Sequence, residues 1–244
     1  MFTSDFWTGG GGVPGDFTFG TIHIAAIAVL IALCIALTLA GLLSGKKGKR
    51  KIIVSVAIFS LLFEIFWRAV FLIRQVDPIE LYPFYPCNSA GIIIPLIALS
   101  NNKVLKELFY LFAFIGGVVT FVMPQDIFVN QYLNFGILKS ILQHYAIVLI
   151  PVIEFFTKTY KPKFKHFYLT IIGMLIHLVN SEFIPKYVFG LQNTDYIFLR
   201  SGLPFVIQGV PGWLTLSVFA IIVVFVCYIL MDFKGFLRAI KKRK

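Results

Sequence analysis

Seven stretches, residues 21–43, 52–74, 84–100, 104–123, 136–157, 167–187 and 204–231, are apolar almost without interruption. Most come close to the about 20 residues that an α-helix needs to cross a ~30 Å hydrocarbon core. Backbone polar groups must be paired within the bilayer, so continuous runs of this kind become helices; the two-residue alternation of barrel strands is absent. With 59% hydrophobic and only 14% charged residues, the chain has more apolar surface than a water-soluble domain can hide. The expected fold is an all-α polytopic membrane bundle of about seven transmembrane helices, occupying residues 21–231.

The flanks are different in kind. Residues 1–20, "MFTSDFWTGGGGVPGDFTFG", are glycine-rich and have no basic leader region, which predicts a flexible extracellular arm rather than a cleaved signal. Residues 232–244 read as a basic cytoplasmic tail. Of 22 basic residues, 17 fall in "GKKGKRK", "NNKVLK", "KTYKPKFKH" and the tail, all on loops of one side. By the positive-inside rule that side is cytoplasmic, which puts the N-terminus outside and the C-terminus inside a multi-pass protein of the cell membrane. The net charge of +11 then calls for anionic lipid headgroups at the cytoplasmic face as partner, and for no nucleic acid.

Polar side chains within spans are costly and mark an interior. Ser60, Glu64 and Arg68 recur every four residues on one face of span 2, with the glutamate ahead of the arginine in the order that favours an ion pair. Span 3 carries Cys87 and Asn88, span 5 Gln143 and His144, and span 6 His177, Asn180 and Ser181. Spans 2, 3, 5 and 6 are therefore expected to line a shared interior, with spans 1 and 7 peripheral. At 1.5 Å per residue, Cys87 lies ~5 Å below the outer end of its span, Arg68 ~9 Å, Asn180 ~10 Å and His144 ~12 Å. A site in the outer half of the bilayer follows, and nothing comparable is expected in the cytoplasmic halves. Interhelical hydrogen bonding is the competing role for each of these groups.

"YPFYPCNS" explains how a thiol comes to open an apolar helix. If Pro86 takes the first helical position, Cys87 and Asn88 share a turn whose N–H groups have no helical partner and whose dipole favours negative charge. If the helix starts near Glu80 and is kinked at Pro86, a carbonyl one turn earlier is freed instead. Both geometries put unpaired backbone beside the sulfur. Cys34 and Cys227 sit in apolar surroundings as small hydrophobes, and no disulfide framework is readable. The four histidines, His23, His144, His166 and His177, have no metal-ligand spacing, and no cofactor or nucleotide site is indicated.

Trp67-Arg68, Pro86-Cys87-Asn88, Pro124, His144, "NTDYIFLRSGLP" and "GVPGW" together resemble the YwaF-type bacterial membrane proteins, relatives of the eukaryotic transmembrane protein 164 acyltransferases. The resemblance covers roughly residues 50–230. It implies a cysteine-dependent transfer of a fatty acyl group between phospholipids, with Cys87 as acyl acceptor and His144 as base. This chain has Tyr85 and Asn88 where bacterial members often carry a histidine and an aspartate. Asn88 is then the group left to orient an imidazole or donate to an oxyanion.

The expected activity is an acyltransferase, or with water as acceptor a hydrolase, working through a thioester on membrane phospholipid or lysolipid. Arg68, with Trp67 and Glu64, would meet the phosphate or glycerol region. Asn180, His177, Asn193 and Tyr196 would assist at the headgroup or cavity lid. A non-catalytic lipid-binding protein and a small-solute transporter are the alternative uses of such a cavity.

Overall fold

A computed structural model of the chain describes residues 4–8, 15–124, 127–192, 196, 210 and 212–241. The described residues form helices α1 (Thr21–Leu43), α2 (Lys46–Ile73), α3 (Pro86–Ser100), α4 (Lys103–Val122), α5 (Phe135–Phe156), α6 (Phe167–Leu178), α7 (Gly212–Met231) and α8 (Phe233–Lys241). A short helix, Ser4–Thr8, precedes them, and α6 is prolonged by a π-helical turn, Val179–Phe183, and the helical turn Ile184–Tyr187.

Among the described residues, five helical segments are long and apolar enough to cross a membrane: α1, α2, α4, α5 and Phe164–Tyr187. The bent pair Ser217–Met231 and Phe233–Lys241, which turns through 99°, raises that number to six. The third apolar stretch gives only the 15-residue α3, a rod of about 22 Å. The chain before α3 is a 3₁₀ turn, Pro78–Leu81, and an extended run through Tyr85. Proline sets both starts: Pro78 follows Asp77, whose carboxylate accepts from the Ile79 N–H at 2.9 Å, and Pro86 takes the first position of α3.

Asparagine shapes the sharpest reversal. Asn101 adopts the left-handed conformation (φ 54°) that ends α3, and the Asn102 side chain accepts from the N–H groups of Val104 and Leu105, starting α4. Asn134 caps α5 through the Ile137 N–H in the same way.

Helix α5 is the centre of the bundle, packing against α1, α2, α3 and α4. Helices α3 and α4 also touch α6, whereas α7 rests on α4 and α6 at the edge. The α4–α6 contact is a backbone approach: a Cβ on Gly173 would lie 2.0 Å from the Leu108 carbonyl oxygen, so only glycine fits there.

The end of the bundle bearing the basic loops carries a second buried polar cluster where none is expected. Lys106 pairs with Glu154 and donates to Asn101 Oδ1 at 2.7 Å, while the Tyr110 hydroxyl donates to Glu154 at 3.1 Å. Beside it, Glu107 accepts from Tyr228 at 3.2 Å and faces His166 Nδ1 at 2.9 Å. Arg50 donates to the carbonyls of Ala98 and Leu99, and Lys49 to that of Thr157. Basic residues here are therefore part of the packing. They close the open helix ends and tie neighbouring helices together.

At the opposite end the amino-terminal arm is pinned: the N–H groups of Gly15 and Phe17 donate to Val129 and Phe128, and Phe6 and Trp7 pack on Phe135. His23 on α1 is fully buried and satisfied. Its ring accepts from the Phe19 N–H, donates to the Phe121 carbonyl and stacks on Phe128.

Candidate functional site

The extended segment before α3 has buried carbonyls that no helix satisfies, and such backbone is tolerated at depth only when protein supplies partners. Helix α6 supplies them. Asn180 Nδ2 donates to Pro83 O at 2.7 Å and Phe84 O at 3.3 Å, and Ser181 Oγ donates to Phe84 O at 2.5 Å. Both donors lie in the π-helical turn, just before Pro185, which has no N–H to bond Ser181 in an α-helical ladder. The sequence pattern "NSEFIP" thus widens the helix and aims two side chains at the entrance of α3.

With Pro86 at the first position and Tyr85 offering no side-chain cap, the first turn of α3 presents its N–H groups unpaired by the helix. Those of Cys87 and Asn88 stand in the same turn as the Cys87 sulfur. Sulfur at this place sits where the backbone accumulates positive partial charge.

Cys87 lines a cavity of about 150 Å³ with Ala90 on α3, Phe112, Ala113, Gly116, Gly117 and Thr120 on α4, His144 and Ile147 on α5, and His177 on α6. Tyr196 closes one side, stacked on Phe84 at 4.8 Å. Gly116 is exposed on the outer surface of α4, so the cavity meets the lipid-facing side of the bundle there. His144 is 3% exposed, and its Nδ1 lies 2.7 Å from the Ser140 carbonyl. A carbonyl only accepts, so Nδ1 carries the proton and Nε2 is left as a bare base.

A charged network backs the cavity. Glu64 accepts from Trp67 Nε1 at 2.9 Å, from Arg68, and across the helix boundary from Gln143 Nε2 at 2.7 Å. The last bond passes over Gly91: a Cβ there would lie 2.7 Å from both Gln143 Nε2 and Glu64 Oε1. Lys139, in the first turns of α5, donates to Asn88 Oδ1 at 2.9 Å and lies 4.4 Å from the Trp67 ring centre; Arg68 stands 4.2 Å from the same ring. Arg68 thus pairs with Glu64, while Lys139 shares the Trp67 ring with Arg68 and bonds Asn88 instead of a carboxylate. The Nη2 of Arg68 is buried and has no hydrogen-bond partner.

The structure brings Cys87, His144, His177 and Tyr196 to one cavity. It keeps Glu64, Trp67 and Arg68 out of the wall, behind α3. Asn88 turns toward Lys139, away from any imidazole, because adjacent positions on a helix point about 100° apart. Asn180 is engaged with backbone carbonyls, and Asn193 lies outside the described residues. Helix α2 does not border the cavity, while α4, without a polar candidate, supplies its longest wall.

Lys139 is the residue that sequence reasoning missed. Arg68, Arg74, Lys139, Lys186 and Arg200 are the basic residues outside the four positive loops, and a cation placed against the charge rule is itself a signal of local use.

Fold and cavity define a multi-pass helical membrane protein in which a cysteine at a helix start and a tautomerically fixed histidine share a laterally placed pocket. The sequence model of the TMEM164 family matches residues 18–231, and the chain belongs to that family. Neither the curated proteins nor the solved structures yield a match.

Proposed function

We propose that the chain is a membrane acyltransferase that carries the acyl group on Cys87. The observation behind this reading is the shared cavity: a partly buried thiol at the start of α3 and an imidazole with a bare Nε2 line the same small space. In the first half-reaction the thiol proton passes to His144 Nε2, sulfur attacks the ester carbonyl, and the carbon–oxygen bond breaks. The leaving lysolipid oxygen takes the proton back from His144, leaving a thioester on Cys87. The N–H groups of Cys87 and Asn88 stand at the positive end of the helix, where a developing negative charge is favoured. In the second half-reaction a hydroxyl acceptor, or water, displaces the thiolate.

The pocket is well below the ~300–1,000 Å³ of sites that enclose drug-sized ligands. An entire phospholipid does not fit within it. The reading is therefore lateral entry of the ester at Gly116, with acyl chains remaining in the bilayer. Arg68, whose Nη2 has no hydrogen-bond partner, and Lys139, which faces the same Trp67 ring, offer donors for a phosphate or glycerol oxygen. The topology that goes with this reading counts α3 and α7 among seven membrane segments. It sets the basic end in the cytoplasm of a cell membrane and the site in the outer half.

The test uses protein in nanodiscs of phosphatidylethanolamine and phosphatidylglycerol with labelled acyl chains. A hydroxylamine-sensitive label on the native protein, lost in a folded Cys87→Ser and in His144→Gln, supports the reading. Label retained in Cys87→Ser, or none on the native protein, refutes it.

A further inference from the structure

The cavity holds a second imidazole that the first half-reaction does not use. His177 lies on α6, is 3% exposed and lines the same space as Cys87 and His144. Its Nδ1 is 3.0 Å from Ser89 Oγ, and the Ser89 hydroxyl donates its proton to the Pro86 carbonyl at 2.9 Å. A hydroxyl has one proton to give. Toward His177 the serine oxygen therefore accepts, Nδ1 carries the hydrogen, and Nε2 is a bare base. No described residue bonds that Nε2. Phe109 and Phe112, with ring centres at 5.5 and 5.6 Å, fix the ring's remaining freedom.

The two imidazoles reach the sulfur's cavity from different walls. Helices α3 and α4 each pack against both α5 and α6, while α5 and α6 scarcely touch one another. His144 and His177 therefore stand on opposite members of a four-helix arrangement, with Cys87 on a helix between them. The π-helical turn begins at Val179, just after His177, and this local widening sets where α6 presents its polar side chains.

We infer that His177 is the base of the second half-reaction, taking the proton of the incoming lysolipid hydroxyl as its oxygen attacks the thioester on Cys87. This rests on the thioester reading given above. The acceptor oxygen bonds to the acyl carbon, the carbon–sulfur bond breaks, and the thiolate recovers its proton from the His177 imidazolium. Proton and electron pair balance, and the free thiol is restored.

Acylation and discharge are measured separately in the same nanodiscs, by the rate at which label appears on the protein and the rate at which added lysophosphatidylethanolamine removes it. Folded His177→Gln keeps the native rate of label appearance and discharges about 100-fold more slowly, within the usual 10²–10⁴ for loss of a general base. His144→Gln acquires no label. Discharge at the native rate in His177→Gln overturns the inference, and so does an equal loss of both steps, which marks a structural role. If His177→Gln does not fold, Ser89→Ala removes the group that fixes the tautomer. Slower discharge with unchanged acylation then supports the inference, and unchanged discharge refutes it. Failure of the parent reading looks different, because the unsubstituted protein then carries no label at all.

Discussion

Gly91→Ala tests whether the Glu64–Gln143 bond ties α2 to α5 across α3. The new methyl carbon would lie 2.7 Å from Gln143 Nε2, 2.7 Å from Glu64 Oε1 and 2.9 Å from Gln143 Cγ. All three are well inside ordinary contact, so the bond of 2.7 Å between those side chains must open. Overpacking of a tight site costs ~1–3 kcal/mol. Interhelical hydrogen bonds in membranes contribute ~0.6–1.7 kcal/mol. Alanine returns about 1 kcal/mol of helix propensity, leaving a net loss of about 1–4 kcal/mol. Gly116→Ala is the control: its Cβ meets nothing within 4 Å, so only the propensity gain remains. Thermal unfolding of the two variants in nanodiscs should therefore separate them by about 2–5 kcal/mol, with Gly91→Ala the weaker. Gln143→Ala clears the space, so the double variant should lose less than the sum of the single losses. Equal stabilities for the two glycine variants, or strict additivity with Gln143→Ala, would refute the crossing of side chains over Gly91.

Lys139→Met keeps an apolar stem against Trp67 while removing the donor to Asn88; acylation from labelled phosphatidylglycerol should fall about tenfold or more, the worth of one charged hydrogen bond, with Lys139→Arg retaining most of the rate. Glu154→Gln leaves Lys106, which is 2% exposed, without its buried counter-charge. A loss of ~3–5 kcal/mol in unfolding stability is expected, together with lower yield of folded protein in the membrane.

The helix starts were legible because proline and asparagine act locally. "YPCNS" left two starts open for α3, at Pro86 or near Glu80 with a kink, and the structure takes the first; "SNNK" holds both the end of α3 and the start of α4. The face shared by Glu64 and Arg68 was legible for the same reason, since it depends only on 3.6-residue periodicity. Partners between helices were not. Asn180 reads as a ligand-facing amide in its span, yet its donors go to Pro83 and Phe84, almost a hundred positions earlier in the chain. Lys106 reads as a loop cation of "NNKVLK", and Glu107 and Glu154 give no linear signal, although the cost of burying charge applies to them as it does to Glu64. Two of them lie beside basic loops, where charge is ordinarily solvated, and pairing with α5 and α7 cannot be read from a linear pattern.

The shortness of α3 connects these observations. A rod of about 22 Å cannot reach both surfaces of a ~30 Å core, and Arg50 holds its far end at the basic side through Ala98 and Leu99. The deficit therefore falls at the cysteine end, where the chain must enter the bundle as extended backbone. Extended backbone needs donors, which Asn180 and Ser181 supply from the widened turn of α6. It also leaves the first N–H groups of the helix, those of Cys87 and Asn88, without a helical partner beside the thiol. One length constraint thus accounts for the polar turn in α6, the extended entry to α3 and the placing of the thiol in its first turn. The place where this span falls short is the place where Cys87 opens a helix inside the bundle.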